Sequence, residues 1–338
     1  MPVANQLDSD AKRLFEAFYE LGDRALLAPK LPQELGGLGL NTLDFWKFQA
    51  LVGQHSGALA FLQTQHQSAA SFLLSGQNQA LAKRYLPAMV SGAKSVGVGF
   101  SQLRKQPAPL VAQRVSNGYC LSGLVPWVSG LGLFAEFVGA AALPEGSAVF
   151  GLLPLANLET VQVSRPMALL GMSATSTVSL SLSDYFLPDE QVIDVKPKGW
   201  IQSSDRANPL SPVGLILGCA QAGLSVAIQL LAKRQIEHPL PAQLQQQIAQ
   251  AWSALPKMQA LPLAAYDRKV ALRGEAIALM NACAQAAILS GSGAANTTGH
   301  PAQRVYKEAL VLSVSGQSKG SAIASLDRLA SLWPLYID

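Results

Sequence analysis

From residue 9 onward, apolar positions recur at helical spacing. Leu14, Phe15, Phe18, Tyr19 and Leu21 share one side of a helix for which Ser9 is the expected N-cap. The run LPQELGGLGL at 31–40 breaks the pattern, because Gly36, Gly37 and Gly39 stop a helix. A long helical stretch is predicted over about 42–74, weakened at Gly53 and Gly57, and a third helix over about 78–90 carrying a late Pro87. Near residue 95 the apolar period shortens from roughly 3.6 to 2. Val178-Ser179-Leu180-Ser181-Leu182-Ser183 alternates strictly and places its apolar side chains on one face of a strand. The stretches 118–128 and 147–155 also read as strands. Gly and Pro punctuate this region every 8–12 residues or so, which points to a small β-sandwich or barrel. After Gly199 the helical period returns. Long helices are predicted over about 210–234, 241–258 and 263–289, and a last one from Pro301. The chain is therefore α+β in three parts: an N-terminal helical domain (1–95), a β-domain (96–195) and a C-terminal helical domain (196–338).

Composition sharpens this picture. The chain has 338 residues, 49% hydrophobic and only 14% charged. That excludes disorder as the main state, and a charged share below the usual ~25% suggests extra buried surface such as an oligomer interface. Two stretches lack formal charge, 207–232 and 276–303, and each is long enough to cross a membrane. Asn208, Pro209, Gln221 and Gln229 in the first, and Asn281, Gln285 and Asn296 in the second, would lie unpaired in lipid, so both are read as core helices with no membrane span. The net charge is +4 with the basic residues scattered, which is no nucleic-acid footprint. Cys120, Cys219 and Cys283 are far apart in apolar settings and read as buried free thiols. They fit a reducing cytoplasm and offer no zinc spacing. Asp8, Asp10 and Glu16 stand where a signal peptide would need an apolar core. Among the histidines, His55 and His66 are expected in a core or interface, His238 and His300 at solvated helix ends or loops.

Four segments, in this order, resemble the acyl-CoA dehydrogenase family. LPQELGGLGL is similar to its "P-x-E-x-G-G-x-G" loop, and QALAKRYLPAMVSGA (79–93) to the segment that ends in "LP-x-L-x-x-G". LGMSATSTVSLSLSDYFLPDEQVI (170–193) resembles "LGMRGTxT", a strand and "VPxExVL", and PAQRVYKEA (301–309) resembles "PxERxYRDA". The resemblance implies an N-terminal helical domain, a middle β-domain and a C-terminal four-helix bundle. It also implies FAD between the β-domain and the helices, a homo-oligomer (dimer or tetramer) and an acyl thioester substrate.

The same resemblance nominates site residues. Trp127 and Ser129 match a "W-x-T/S" whose ring packs near the flavin and whose hydroxyl bonds it near N5; a flat apolar wall with a hydroxyl two residues on the same strand face suits that role. Ser101 stands for the Thr of "T-E-P-x-x-G-S-D", whose Glu, Pro, Gly-Ser and Asp are absent here. Arg234 matches the Arg that reaches a neighbour's FAD pyrophosphate. Arg304 is read as a structural pair. The family's base is a Glu in "Y-E-G-T" or on an earlier helix; Ser315 and Asn208 occupy those positions here. A serine does not take a proton without a partner. Three readings follow: a flavin-dependent oxidoreductase of the acyl-CoA dehydrogenase type without the usual base, a flavin-dependent monooxygenase on the same fold with Ser315, Ser101 or His300 in a polar pocket, or a degenerate, non-catalytic member with a binding or structural role.

Overall fold

A computed structural model describes residues 2–331. Five helices open the chain: α1 (Pro2–Ser9), α2 (Ala11–Gly22), α3 (Thr42–His55), α4 (Gly57–Ser75) and α5 (Gln79–Val90). The first expected helix is corrected at its start. Asp10, not Ser9, caps α2, its carboxylate accepting the Arg13 N–H, and Ser9 ends the separate helix α1. The stretch over 42–74 is two helices rather than one. Ser56 adopts an extended backbone and its Oγ accepts the Leu59 N–H, which ends α3 and starts α4. A serine hydroxyl offers the backbone an alternative to the helical ladder, and here it wins. Of the two histidines expected in a core or interface, His66 is fully buried, whereas His55 sits exposed on the last turn of α3 and so lies outside the core.

The middle segment holds β1 (Val96–Gly99), β2 (Leu110–Val115), β3 (Gly118–Val128), β4 (Glu136–Ala142), β5 (Ala148–Pro154), β6 (Val161–Val163), β7 (Val178–Pro188) and β8 (Val192–Lys196). They pair in the order β6-β7-β3-β2-β4-β5-β8, with β1 parallel to β4. The expected sandwich or barrel is thus one sheet whose halves meet through the parallel pair Val111–Ala142. In β7 the alternation is realised as read: Val178, Leu180 and Leu182 are buried while Ser181 and Ser183 face solvent. Phe150 of β5 carries the sheet onto the helices. Its ring lies 5.1 Å from Phe72 of α4 and 5.0 Å from Trp200. Cys120, expected in an apolar setting, is half-buried with its Sγ 3.6 Å from Asp184 Oδ1.

The last segment contains α6 (Trp200–Ala207), α7 (Val213–Lys233), α8 (Leu240–Ala260), α9 (Tyr266–Gly291), α10 (Pro301–Val314) and α11 (Lys319–Ser331). The sequence pattern set no separate bounds for α6 and α11: α6 is a short helix that buries only Ile201, and α11 carries its apolar Ile323, Leu326 and Leu329 exposed. α7 and the α9 segment are long and apolar enough to cross a membrane by length and composition. They pack together instead. A Cβ on Gly223 of α7 would lie 2.9 Å from the Cys283 backbone of α9, and one on Gly218 would lie 2.6 Å from the Ala50 carbonyl of α3. Small residues on two faces of α7 let three helices approach closely, which explains a helix with so little polar surface. Cys219 and Cys283 are buried free thiols in this contact.

Candidate functional site

A cavity of about 750 Å³ opens where the helices meet the sheet. Its walls come from α4 (Phe61, Gln65), the end of β1 and the turn after it, the end of β3, the turn at 169–177 and the end of α10. Four of the residues nominated from sequence reach it: Ser101, Trp127, Ser129 and Ser315.

Trp127 is 52% exposed, an unusual state for a tryptophan on a strand. In a regular strand it would share the face of Val125, which is fully buried. A register shift between Val125 and Val128 turns it outward, onto the cavity wall. Just past the strand, Ser129 Oγ lies 2.7 Å from Thr177 Oγ1, and Thr177 Oγ1 lies 3.1 Å from Thr175 Oγ1. Thr175 Oγ1 donates in turn to the Met172 carbonyl at 2.8 Å. All three of these hydroxyl residues line the cavity. Thr175 and Thr177 stand in the LGMSATST segment, whose resemblance to the family does not mark them as site residues.

The turn that carries them is held from far away in sequence. Met172 and Ser176 have φ of 54° and 48°, in the left-handed region that side chains rarely adopt. The Met172 N–H donates to Asp8 Oδ1 at 2.8 Å, and burial raises the Asp8 carboxyl above its ordinary pKa while that hydrogen bond opposes the rise. Without this acceptor the strained turn would lose a buried bond.

On the opposite wall, Ser101 opens a short 3₁₀ turn (Ser101–Arg104) at the mouth and is exposed. Arg104 forms a two-bond ion pair with Asp205 at 2.9 and 2.7 Å. Ser315 closes α10 and spends its hydroxyl proton on the Val311 carbonyl at 2.8 Å. Its own carbonyl and that of Gly316 accept from the buried Arg273 of α9 at 2.9 and 3.2 Å. Burial pushes the Arg273 guanidinium down to about 10. The Ser315–Gly316–Gln317 turn is thus fixed through its backbone, and its side chains are free to vary. The described lining offers hydroxyls, glutamine amides, Arg104 and Lys105 as its polar groups, and none of it is Asp, Glu or His.

The other nominated residues stand elsewhere. Asn208 caps the end of α6 exposed, its Nδ2 donating to the Ser204 carbonyl at 3.1 Å. Arg234 ends α7 and donates to the Ser290 carbonyl at 3.1 Å, beside a separate apolar cavity of about 200 Å³. His300 caps α10, its Nδ1 accepting the Ala302 N–H at 3.3 Å, and does not line the large cavity. Arg304 does form the internal pair expected of it, with Glu308.

Residues 1–93 match the family model for the acyl-CoA dehydrogenase N-terminal domain. The N-terminal part of the chain is thus similar to the first domain of that family. Isovaleryl-CoA dehydrogenase of Pongo abelii is 24% identical over 249 residues, covering 69% of this chain and 59% of the relative. The chain therefore spans about three fifths of that curated relative's length. The butyryl-CoA dehydrogenase structure from Megasphaera elsdenii superposes with a TM-score of 0.80 at 15% identity, covering 97% of this chain and 93% of that one. The structure of KijD3 in complex with FMN and a dTDP-linked amino sugar gives 0.78 at 20% identity, covering 97% and 88%. At these identities the two structures establish the acyl-CoA dehydrogenase fold: N-terminal helices, a middle sheet and C-terminal helices.

Proposed function

We propose that the chain is a flavin-dependent oxidoreductase of the acyl-CoA dehydrogenase type that works without a carboxylate base of its own. The observation that carries the reading is the convergence of an outward-turned tryptophan and a row of hydroxyls on one cavity large enough for an isoalloxazine ring. The donor set suits that ring. Trp127 offers a flat face, Ser129 and Thr177 offer a hydroxyl edge, and Ser101 offers a hydroxyl at the mouth. FAD, when bound, supplies two-electron redox chemistry. This chain's residues would hold it: Trp127 would supply the stacking face, Ser129 and Thr177 the hydroxyl edge, and the 169–177 turn with Phe61 and Val311 would exclude water. The substrate is an acyl thioester or a similar small molecule. The assembly is a homo-oligomer, dimer or tetramer, in the cytoplasm. Arg234 is kept as a contact to a neighbour's cofactor, because its helix-end guanidinium holds only a backbone carbonyl here.

The test is direct. The purified protein is expected to retain FAD or FMN with a flavin absorption band after excess is removed. Trp127→Ala is expected to weaken that retention by about ten- to a hundredfold, the size of a lost ring-stacking contact. A colourless protein that retains neither flavin overturns the reading and leaves the non-catalytic one.

Ser315 supports a second expectation. In flavin-loaded protein, Ser315→Glu is expected to accelerate reduction of the flavin by short acyl-CoA thioesters by about a hundredfold or more, since a positioned base supplies 10²–10⁴ or so. No acceleration across several acyl lengths removes Ser315 as the base position. Oxygen-dependent turnover of reduced flavin by the wild type would instead favour the monooxygenase reading, which needs no base.

A further inference from the structure

We propose that Ser129, Thr177 and Thr175 form a directed hydroxyl relay that presents a hydrogen-bond acceptor to the cavity, so that the site holds reduced flavin more tightly than oxidised flavin. This rests on the flavin reading above and adds to it a redox preference set by a residue two hydrogen bonds away.

The direction follows from counting protons. Each hydroxyl carries one proton to donate. Thr175 Oγ1 lies 2.8 Å from the Met172 carbonyl, which has none, so Thr175 is the donor there. With that proton spent, the 3.1 Å contact between Thr175 and Thr177 needs the proton of Thr177. The 2.7 Å contact between Thr177 and Ser129 then needs the proton of Ser129. Ser129 is left with lone pairs facing the cavity. Thr175 and Thr177 are 2% and 5% exposed, so water does not compete for these protons.

The line can also run the other way. Thr175 would donate to Thr177, Thr177 to Ser129 and Ser129 outward, and Met172 O would keep only the Thr175 N–H at 3.0 Å. That order has one buried hydrogen bond fewer, a difference worth about tenfold in an equilibrium. The flavin N5 atom changes character on reduction: it accepts in the oxidised ring and carries a proton in the reduced one. A reduced ring would donate to Ser129 with the relay in its favoured order, whereas an oxidised ring would gain the same hydrogen bond only with the relay reversed.

Thr175 is thus a positioning residue, acting through Thr177 and Ser129. The test is anaerobic titration of the protein with oxidised and with dithionite-reduced FAD and FMN, giving a dissociation constant for each state. In Thr175→Val the relay loses its terminal donor and Ser129 turns outward as a donor. The ratio of oxidised to reduced dissociation constants is expected to fall about tenfold, which for two electrons lowers the bound-flavin potential by about 30 mV. Thr175→Ser is expected to restore the wild-type ratio. Thr177→Val, which frees Ser129 altogether, is expected to move the ratio the same way and guards against a folding defect in the first variant. Flavin retained with an unmoved ratio in both valine variants overturns the relay alone. A wild-type protein that binds neither redox state overturns the flavin reading and the relay with it.

Discussion

Glu308→Ala is expected to destabilise the protein by about 3–5 kcal/mol, the cost of leaving a buried charge without its partner. Arg304 and Glu308 lie one turn apart on α10 with side chains 4% and 0% exposed. Arg304 Nη1 donates to both carboxylate oxygens at 2.9 Å. Glu308 Oε1 also accepts the Gly57 N–H at 2.9 Å, at the start of α4, where the helix dipole favours a negative charge. Gly57 is required for that approach, because a Cβ there would lie 2.8 Å from the Glu308 carboxyl carbon. The pair therefore ties the last helices of the chain to the N-terminal ones, directly behind the turn that Asp8 holds. Alanine at 308 strands the Arg304 guanidinium, whose Nε already has no partner among the described residues. The double variant Arg304→Met, Glu308→Ala is expected to recover most of the loss, since removing both charges removes the penalty. Urea unfolding of the wild type, the single variant and the double variant checks this. A single variant as stable as the double one would mean that the pair is not a closed unit.

The protein is also expected to lose about 3 kcal/mol of stability through one residue as pH falls from 6.5 to about 4. His66 is fully buried in α4, its ring edge-on to Phe18 and stacked near Phe134 at 5.6 and 6.2 Å. Its Nε2 donates to the Met89 carbonyl at 2.8 Å, and its Nδ1 accepts the Val96 N–H at 3.1 Å. The bond accepted at Nδ1 requires the neutral ring, because protonation there removes the lone pair. Burial pushes its pKa down from 6.5 to about 4, with desolvation the first cause. Between those values the unfolded chain binds a proton that the folded chain refuses. Stability is therefore full above pH 6.5 and declines by about 1.4 kcal/mol per pH unit until the folded ring titrates. His66→Gln keeps a donor for Met89 and an acceptor for Val96 without the charge. The stability advantage of wild type over this variant is expected to be about 2–3 kcal/mol smaller at pH 4.5 than at pH 7. An advantage that does not change with pH would show that His66 titrates normally in the folded state.

These two clusters illustrate what a linear reading reaches. Arg304 was legible as a structural pair because a partner one turn away lies within its own helix. Its second tie, from Glu308 to Gly57, joins segments far apart in the chain and leaves no mark in either. His66 was legible as buried from its apolar neighbours, but its partners Met89 and Val96 were not, since they come from the end of α5 and the start of β1.

The candidate site divides the same way. Ser101, Trp127, Ser129 and Ser315 were legible through motif likeness, and the fold carries all four to one cavity. Asn208 was nominated on the same grounds and stands apart from it, because a motif match specifies a residue type and a place in the chain, not where a helix end will lie; Arg234 also stands apart, as its expected role toward a neighbour's cofactor allows. Thr175, Thr177, Arg273 and Asp8 were not singled out. Arg273 lies inside a helical pattern and reads as an ordinary helix residue, yet it clamps the turn at Ser315.

The sequence by itself determined the order of helical and β segments, the strand faces such as Val178, Leu180 and Leu182, and the core status of α7. Each of these follows from a periodicity or a composition that is local to a dozen residues, because burial on one face imposes a repeat along the chain. Only the tertiary structure decided that Trp127 turns outward at a bulge, that three hydroxyls from two separate segments line up, and that a carboxylate at residue 8 holds a turn at residue 172. Those depend on strand register and on contacts between distant segments, where a single well-placed side chain suffices and no repeat is needed to mark it.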